Sequence, residues 1–256
     1  MNFWYNAAMG TLYIVATPIG NLEDITIRAA RILYTAHVLL CEDTRQTGML
    51  IDLLEKRFPF LIPPGAKHPK LLRYDNTVER TLMPELIERL INGENMTLVS
   101  DAGTPLISDP GYVLVSEARK RNITVVSIPG ASAVLTALTS SGFPADTFTF
   151  LGYPPEKEGH RQALLRNIVS MNQFVHSTYI MYSAPHKLDS LLKDMQEVMG
   201  NIDIVICREL TKVHEEHWRG PIADALAHFK DPKGEIVLVF GIQSPHAAGH
   251  RGNTGR

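Results

Sequence analysis

Leu98-Val99-Ser100-Asp101-Ala102-Gly103-Thr104-Pro105-Leu106-Ile107-Ser108-Asp109-Pro110-Gly111 is the stretch on which the fold of this chain turns. It follows the apolar run 96–99, which reads as a buried strand. An amphipathic segment over residues 113–121 comes next and reads as a helix. Between them lie two Gly, two Pro, two Asp, two Ser and one Thr, a composition that continues neither element. The chain must turn sharply there, and its glycines let a ligand come close to the backbone. In open α/β sheets, ligands bind beyond the carboxyl ends of the strands, which is where this loop lies. The simpler account is an ordinary strand-to-helix connection, but those usually run about 2–6 residues. This one is about twice as long and repeats Ser-Asp, so a ligand loop is the expectation.

Working outward, residues 12–16 form a short apolar strand that Thr17-Pro18-Ile19-Gly20-Asn21 breaks. Asp24 is expected to cap a helix reaching Tyr34, with Ile25, Ala29, Ile32 and Leu33 on one face. Residues 38–41 give a second strand, so the unit is βαβ and the sheet parallel. The first loop is not G-x-G-x-x-G and no G-K-[ST] follows, so neither a nicotinamide-type site nor a P-loop has motif support. The second strand runs into Glu42-Asp43-Thr44-Arg45. These charged groups read as a site at a strand end, or alternatively as a solvated helix start, since Asp and Thr cap helices well.

Residues 57–70 carry four prolines and read as an irregular connection, followed by a third strand at 71–74. Val78, Leu82, Met83, Leu86, Ile87 and Leu90 make one helical face, and a fifth strand follows at 124–128. Pro129-Gly130-Ala131-Ser132-Ala133 opens an apolar helix whose small side chains and free N–H groups suit a ligand's polar edge; tight helix packing explains the same residues equally simply. Beyond it, strands are expected at 147–151, 178–181, 202–207 and 235–240, helices at 161–171, 186–199 and 222–229, and a polar flap at 153–161. The domain boundary is placed near Gly130, giving an N-terminal α/β domain over 10–130, a C-terminal one over 131–243, and a disordered tail over 244–256.

Composition narrows the class. A chain of 256 residues can bury a sizeable core. Its formal net charge of -2 announces no nucleic-acid binder, so any basic patch is local. Cys41 and Cys207, each ending an apolar run, read as reduced, buried residues of a cytoplasmic protein. No apolar run is long enough for a membrane span, and residues 1–8 lack the basic region and apolar core of a secretory signal. His214-Glu215-Glu216-His217 spaces its histidines three apart, where a zinc helix needs four. With two distant cysteines and no G-x-S-x-G elbow, neither a metal site nor a serine hydrolase is expected.

Several stretches together resemble the tetrapyrrole-methylase superfamily, over about residues 10 to 242 in collinear order. They are Ala16-Thr17-Pro18-Ile19-Gly20-Asn21-Leu22 with Asp24-Ile25-Thr26, Glu42-Asp43-Thr44-Arg45, the Ser100–Gly111 loop, Pro129-Gly130-x-Ser132-Ala133, Arg208-Glu209-Leu210-Thr211-Lys212, and Lys233-Gly234-Glu235-Ile236-Val237. Within it they are most similar to the branch that 2′-O-methylates a cytidine of 16S ribosomal RNA in the 30S subunit. The resemblance implies two α/β domains of the class III methyltransferase fold with S-adenosylmethionine in the cleft between them, and a homodimer. It places cofactor contacts at Ile19, Ser100, Asp101, Ala102, Gly103, Thr104, Asp109, Ser132, Ala133, Pro185 and Gly234. The Glu42–Arg45 and Glu209–Lys212 motifs would face the RNA. Against the family's Tyr-Glu-x-Pro-His-Arg, this chain has Tyr182-Ser183-Ala184-Pro185-His186-Lys187, losing the acidic residue and an arginine fork. Arg73-Tyr74-Asp75-Asn76 replaces a His-rich stretch, the 154–161 flap is less basic, and the family's basic C-terminal extension is absent from this sequence.

That chemistry suits the residues. A methyl on a sulfonium is already activated, so the protein has to align the acceptor and exclude water. A ribose hydroxyl needs a base, or a cation that favours its alkoxide. Glu42, Asp43, Glu209 and Lys212 are the candidates, with Arg45 as a phosphate grip. Two other readings stay open: a methyltransferase of the same superfamily acting on a small tetrapyrrole or a protein side chain, which the near-neutral charge favours, and a non-catalytic nucleotide-binding module.

Overall fold

The structure is a computed structural model that describes residues 9–242. The expectations for the first eight residues and for the 244–256 tail fall outside the described residues. The chain divides between Ser132 and Ala133 into two compact units.

The first unit holds β1 (Thr11–Val15), α1 (Ile27–Leu33), β2 (Val38–Cys41), α2 (Thr44–Arg57), β3 (Leu71–Arg73), α3 (Glu79–Ile91), β4 (Met96–Val99), α4 (Tyr112–Lys120) and β5 (Thr124–Ile128). Its strands lie in the order β3-β2-β4-β1-β5, every neighbouring pair parallel. β2 and β4 are buried at every position, because a parallel sheet is covered on both faces and its inner strands read as unbroken apolar runs. Leu12, Ile14, Val38, Leu40, Met96 and Leu98 pack with Leu86, Leu90 of α3 and Leu114, Ala118 of α4. Val15, Leu39, Cys41 and Val99 pack on the other face with Ala29, Leu33 of α1 and Ile51, Leu54 of α2.

The Asp24 cap does not form. Asn21 caps a single 3-10 turn over Leu22–Asp24, and Ile25 is extended. Ile25 tucks into the core, which interrupts the helix, and α1 restarts behind Thr26, whose hydroxyl accepts from the Ala29 N–H at 3.1 Å.

The second unit holds α5 (Ala133–Ser141), β6 (Phe148–Phe150), α6 (Glu158–Asn172), β7 (Thr178–Ser183), α7 (Leu188–Met199), β8 (Asp203–Arg208), β9 (Glu216–Pro221), α8 (Ile222–His228) and β10 (Ile236–Gly241). Its sheet, β6-β7-β10-β8-β9, is mixed: β6 and β7 are parallel and the other pairs antiparallel. Tyr179, Met181, Ile204, Ile206, Leu238 and Phe240 pack on Leu165, Leu191, Leu192, Met195 and Ile222 from the helices. β9 is a strand the sequence reading did not find. It is an edge strand with a half-exposed, polar sequence, Glu216-His217-Trp218-Arg219, so it carries no apolar run. α7 begins at Leu188, not His186, because residues 185–187 make a 3-10 turn opened by Pro185.

Cys41 and Cys207 are both buried and unpaired with each other. No described helix is long and apolar enough to cross a membrane. In the middle of β4, the buried Thr97 hydroxyl has no hydrogen-bond partner among the described residues. A hydroxyl buried without a partner costs about 1–3 kcal/mol, so Thr97→Val, which keeps the shape, is expected to raise stability by about 1 kcal/mol in urea unfolding. A loss of stability of that size would show that the hydroxyl is bonded in solution.

Candidate functional site

Because the first sheet is wholly parallel, the segments leaving all five strands collect along one edge. Two of these segments are stitched together by backbone. Thr17 N donates to Gly103 O at 2.9 Å and Gly103 N to Thr17 O at 3.1 Å. The Thr17 hydroxyl donates to Ser100 O at 3.1 Å, and the Ser100 hydroxyl lies 3.2 Å from the carbonyls of Ala102 and Gly103. Thr104 Oγ1 donates to Ala131 O at 3.1 Å, tying in the segment after β5. Gly103 sits at φ 82°, and a Cβ there would stand 3.2 Å from Ile19 Cγ2. The angle favours glycine, and a side chain there would also press on Ile19. Gly111, at the far end of the loop, donates its N–H to Glu79 at 3.1 Å, and the Tyr74 hydroxyl donates to the same oxygen at 3.3 Å. Leu106 and Ser108 hold φ 72° and 71°, a left-handed conformation that costs a non-glycine residue about 1–2 kcal/mol. Strain of this kind gathers in ligand loops.

The edge is strongly acidic. Burial pushes the Glu42 carboxyl up to about 7, and Asp109, Asp101 and Asp75 add repulsion. Burial likewise pushes Asp109 up to about 6, where the Ser100 hydroxyl works against it and Asp101 with it. Asp101 is raised by partial burial although the Asp43 N–H, 3.2 Å away, stabilises its charge. No Lys, Arg or His pairs with Glu42, Asp101 or Asp109 among the described residues. Asp43 differs. It caps α2 through the Arg45 N–H at 2.8 Å and takes the Arg45 guanidinium in a fork, Nε at 3.0 Å and Nη2 at 2.6 Å. The Arg45 hydrogen bonds hold its carboxyl down at about 2, which unsuits Asp43 as a proton acceptor.

In the second unit, β10 runs between β7 and β8 and antiparallel to both, so its start meets their ends: Ile236 pairs with Ser183 and with Arg208. Gly234, at φ 88°, lies just before it, and a Cβ there would strike the Glu209 carboxyl at 2.4 Å. Glu209 itself is held at φ 52°. Its Oε1 accepts from the Glu235 N–H and from Lys212 Nζ, both at 2.9 Å. Lys212 Nζ also donates to Glu235 at 3.0 Å. The Glu235 N–H and Lys212 lower the Glu209 carboxyl. Burial alone would lower Lys212, but Glu209 and Glu235 outweigh it and the ammonium is raised. Lys212 is therefore a persistent cation, not a base. Pro185 lies two residues past Ser183 at this same sheet edge.

The structure thus gathers Ile19, Glu42, Asp43, Ser100, Asp101, Ala102, Gly103, Thr104 and Asp109 on one edge of the first sheet, with Ser132 next to the bonded Ala131 and Ala133 opening α5. It gathers Pro185, Glu209, Lys212 and Gly234 on one edge of the second. Arg45 is turned onto Asp43, its side chain largely exposed. Sequence reasoning missed Asp75, Glu79 and Glu235. Glu235 stood within a quoted motif; Glu79 carried no signal, because its role is to hold a loop distant in sequence. The rejected His214–His217 stretch forms something else: Glu215 bonds His217 Nε2 at 2.7 Å, and His217 Nδ1 lies 3.5 Å from Cys207 Sγ. Burial pushes that thiol up to about 11, the opposite of an activated nucleophile. No group of three or more His, Cys, Asp or Glu is placed to hold a metal ion among the described residues.

Comparison with known proteins bears on this geometry. The profile of the tetrapyrrole (corrin/porphyrin) methylases matches residues 11–226. A protein of Halalkalibacterium halodurans named ribosomal RNA small subunit methyltransferase I is 44% identical over 233 residues, which are 90% of this chain and 75% of that protein. One of the same name from Thermotoga maritima is 39% identical over 91% of this chain and 98% of its own length. Among solved structures, the methyltransferase CobJ aligns with a TM-score of 0.64 at 18% identity, over 91% of this chain and 94% of that one. A uroporphyrin-III C-methyltransferase of Thermus thermophilus, in complex with S-adenosylhomocysteine, aligns with a TM-score of 0.57 at 15% identity, over 90% and 97%. At these identities the solved structures show the shared fold.

The Glu42 shift has a stability consequence. Its carboxyl holds a proton up to about 7 when folded and near 4.5 otherwise, so between those values the folded state binds more protons and stability falls as pH rises. Glu42→Gln removes this liability. Relative to the parent, the variant is expected to gain about 1–2 kcal/mol between pH 4.5 and pH 8 in urea unfolding, less than the full shift would give because solvent screens the group. An equal difference at both pH values would contradict the shift.

Proposed function

This chain belongs to the tetrapyrrole (corrin/porphyrin) methylases, and from that premise we propose that it uses S-adenosylmethionine to methylate 16S ribosomal RNA of the small subunit, on the ribose 2′-hydroxyl of a cytidine. The observation that carries this reading is the near full-length similarity, at 39–44% identity, to proteins named for small-subunit ribosomal RNA methylation. It favours the RNA over a small tetrapyrrole or a protein side chain. In this reading the chain has two domains, 10–130 and 131–243, acts in the cytoplasm, and works as a homodimer on the 30S subunit.

The residues suit the cofactor. Burial, with added repulsion from neighbouring acids, raises the Glu42, Asp101 and Asp109 carboxyls, and no cation pairs with them among the described residues; a cationic ligand would favour their charged forms. Gly103, with no side chain, lets the buried Ile19 pack against the loop backbone. When bound, the cofactor supplies a methyl group activated on a positively charged sulfur. This chain's own groups then have three tasks. Thr17, Ser100 and Thr104 fix the loop so that alignment costs little at the moment of reaction. Glu42, titrating near neutrality, is the group matched to accept the hydroxyl proton. Lys212, kept charged by Glu209 and Glu235, is suited to stabilise an oxyanion. Arg45 spends part of its five-donor fork on Asp43 and keeps the rest for phosphate.

Transfer of tritiated methyl to 30S subunits lacking the modification, followed by nucleotide mapping, tests this reading. It predicts one ribose methyl on a cytidine of 16S RNA; no transfer, or transfer elsewhere, would contradict it. Glu42→Gln is expected to slow transfer at saturating RNA by about 10²–10⁴-fold, the usual worth of general acid–base groups. Arg45→Ala should instead raise the RNA concentration required and weaken its salt dependence.

A further inference from the structure

The second unit contains a cavity of about 170 Å³ that the roles above leave unused. It lies between the segment after β6 and the 3-10 turn after β7, and its lining is mixed. Leu191 and Arg161 are buried, whereas Tyr153, Glu156 and His186 are exposed, so the space opens to solvent.

The cavity is built, not incidental. Arg161 is almost fully buried and ion-pairs with Asp194, Nε to Oδ2 at 2.5 Å. Its Nη1 donates to the carbonyl of Glu156 at 2.8 Å and reaches that of Pro155 at 3.4 Å. A buried guanidinium thus clamps the overhanging segment from inside. Pro154 and Pro155 stiffen that segment further, and the Tyr182 N–H fixes its start on the Gly152 carbonyl at 2.9 Å.

Size limits what can enter. An apolar cavity of about 150 Å³ takes one benzene ring, so this space takes a single six-membered ring and is small for a purine. At its exposed side stands Tyr153, 62% accessible, with its ring 5.4 Å from that of Tyr182, which in turn meets Phe150 edge-on at 4.9 Å. An accessible aromatic backed by others is a stacking platform for a base. Lys187, which has no carboxylate partner among the described residues, and His186 also line the space, and a cation there suits a phosphate. Glu156 adds a carboxylate at the lining, matched to the amino group that cytosine presents.

We propose that this cavity seats one pyrimidine ring of the RNA, stacked on Tyr153 with its phosphate toward Lys187. The Arg161–Asp194 pair is then a positioning device that keeps the seat open. The inference rests on the reading of the substrate as RNA.

Two measurements on the full chain test it. Cytidine monophosphate, added while backbone amide signals are followed by NMR, should shift those of Tyr153, Glu156, Ser183, Ala184, His186 and Lys187, and adenosine monophosphate should not. Tyr153→Ala should weaken this binding and raise the RNA concentration for half-maximal methylation of 30S subunits by about five- to a hundred-fold, the worth of one lost base–aromatic stack. Tyr153→Phe should restore both, and S-adenosylmethionine affinity should stay unchanged in each variant. Tyr153 is exposed, so neither change threatens folding. The proposal is overturned if cytidine monophosphate leaves those signals unmoved, if the adenosine nucleotide binds there as well, or if Tyr153→Ala behaves like the parent. Loss of cofactor affinity in Tyr153→Ala would assign the cavity to the cofactor and also overturn it. Should the parent fail to methylate 30S subunits yet bind cytidine monophosphate as described, the RNA-methylation reading falls and the pyrimidine seat stands.

Discussion

Two hydrogen bonds between Thr17 and Gly103 hold the ligand edge of the first sheet in place. β1 and β4 are neighbours in the sheet, but their departing loops would splay apart without a cross-link. The bridge forms because Gly103 accepts a positive φ and lets Ile19 come within van der Waals distance. From it follow the aim of Asp101 toward the Asp43 N–H, the Thr104 bond to Ala131, and the placement of Asp109 beside Ser100. A side chain at position 103 would therefore disturb three of the five segments on that edge. The loop has little internal regular structure, so its rigidity comes from these few polar contacts and from Glu79 at its far end.

The two units handle charge in opposite ways. At the second sheet's edge the cations next to the Glu209 motif are answered: Lys212 lies between Glu209 and Glu235, and Arg208 between Glu216 and the Lys233 carbonyl. The Glu235 N–H and Lys212 lower Glu209, and Glu209 and Glu235 raise Lys212 against its burial, which keeps that pair charged across neutral pH. At the first sheet's edge no cation pairs with Glu42, Asp101 or Asp109 among the described residues; all three carboxyls are raised, Glu42 to about 7 and Asp109 to about 6. Groups so poised are typical of reactive or ligand-binding sites. Burial is the largest cause at each of the three, and repulsion from neighbouring acids adds to it: Asp109, Asp101 and Asp75 at Glu42, Asp101 at Asp109, and Asp43 at Asp101.

Much of this was legible in the sequence. The first sheet could be read because inner parallel strands such as Val38–Cys41 and Met96–Val99 are unbroken apolar runs. The Ser100–Gly111 loop stood out because its glycines and prolines serve the turn itself. What escaped reading depended on contacts between distant residues. β9 is stabilised by pairing with β8, not by its own apolar content. α1 starts late because Ile25 finds a place in the core. The roles of the charged motifs could not be separated by spacing either. Asp43 and Glu42 are adjacent in sequence, yet one is held near 2 by Arg45 and the other lifted to about 7 by burial and by acids arriving from two other strands. Lys212 looked equally able to be base or cation until Glu209 and Glu235 were found on either side of it.

The central physical claim is that the crowded carboxyls of the first unit are there to meet a cationic cofactor. Calorimetric titration of S-adenosylmethionine at about pH 6.5, in buffers of different ionisation enthalpy, measures the protons exchanged on binding. Bringing positive charge to Glu42, Asp101 and Asp109 must lower their pKa values, so the account predicts net proton release that shrinks in Glu42→Gln. Binding with no proton exchange, or with proton uptake, would contradict it.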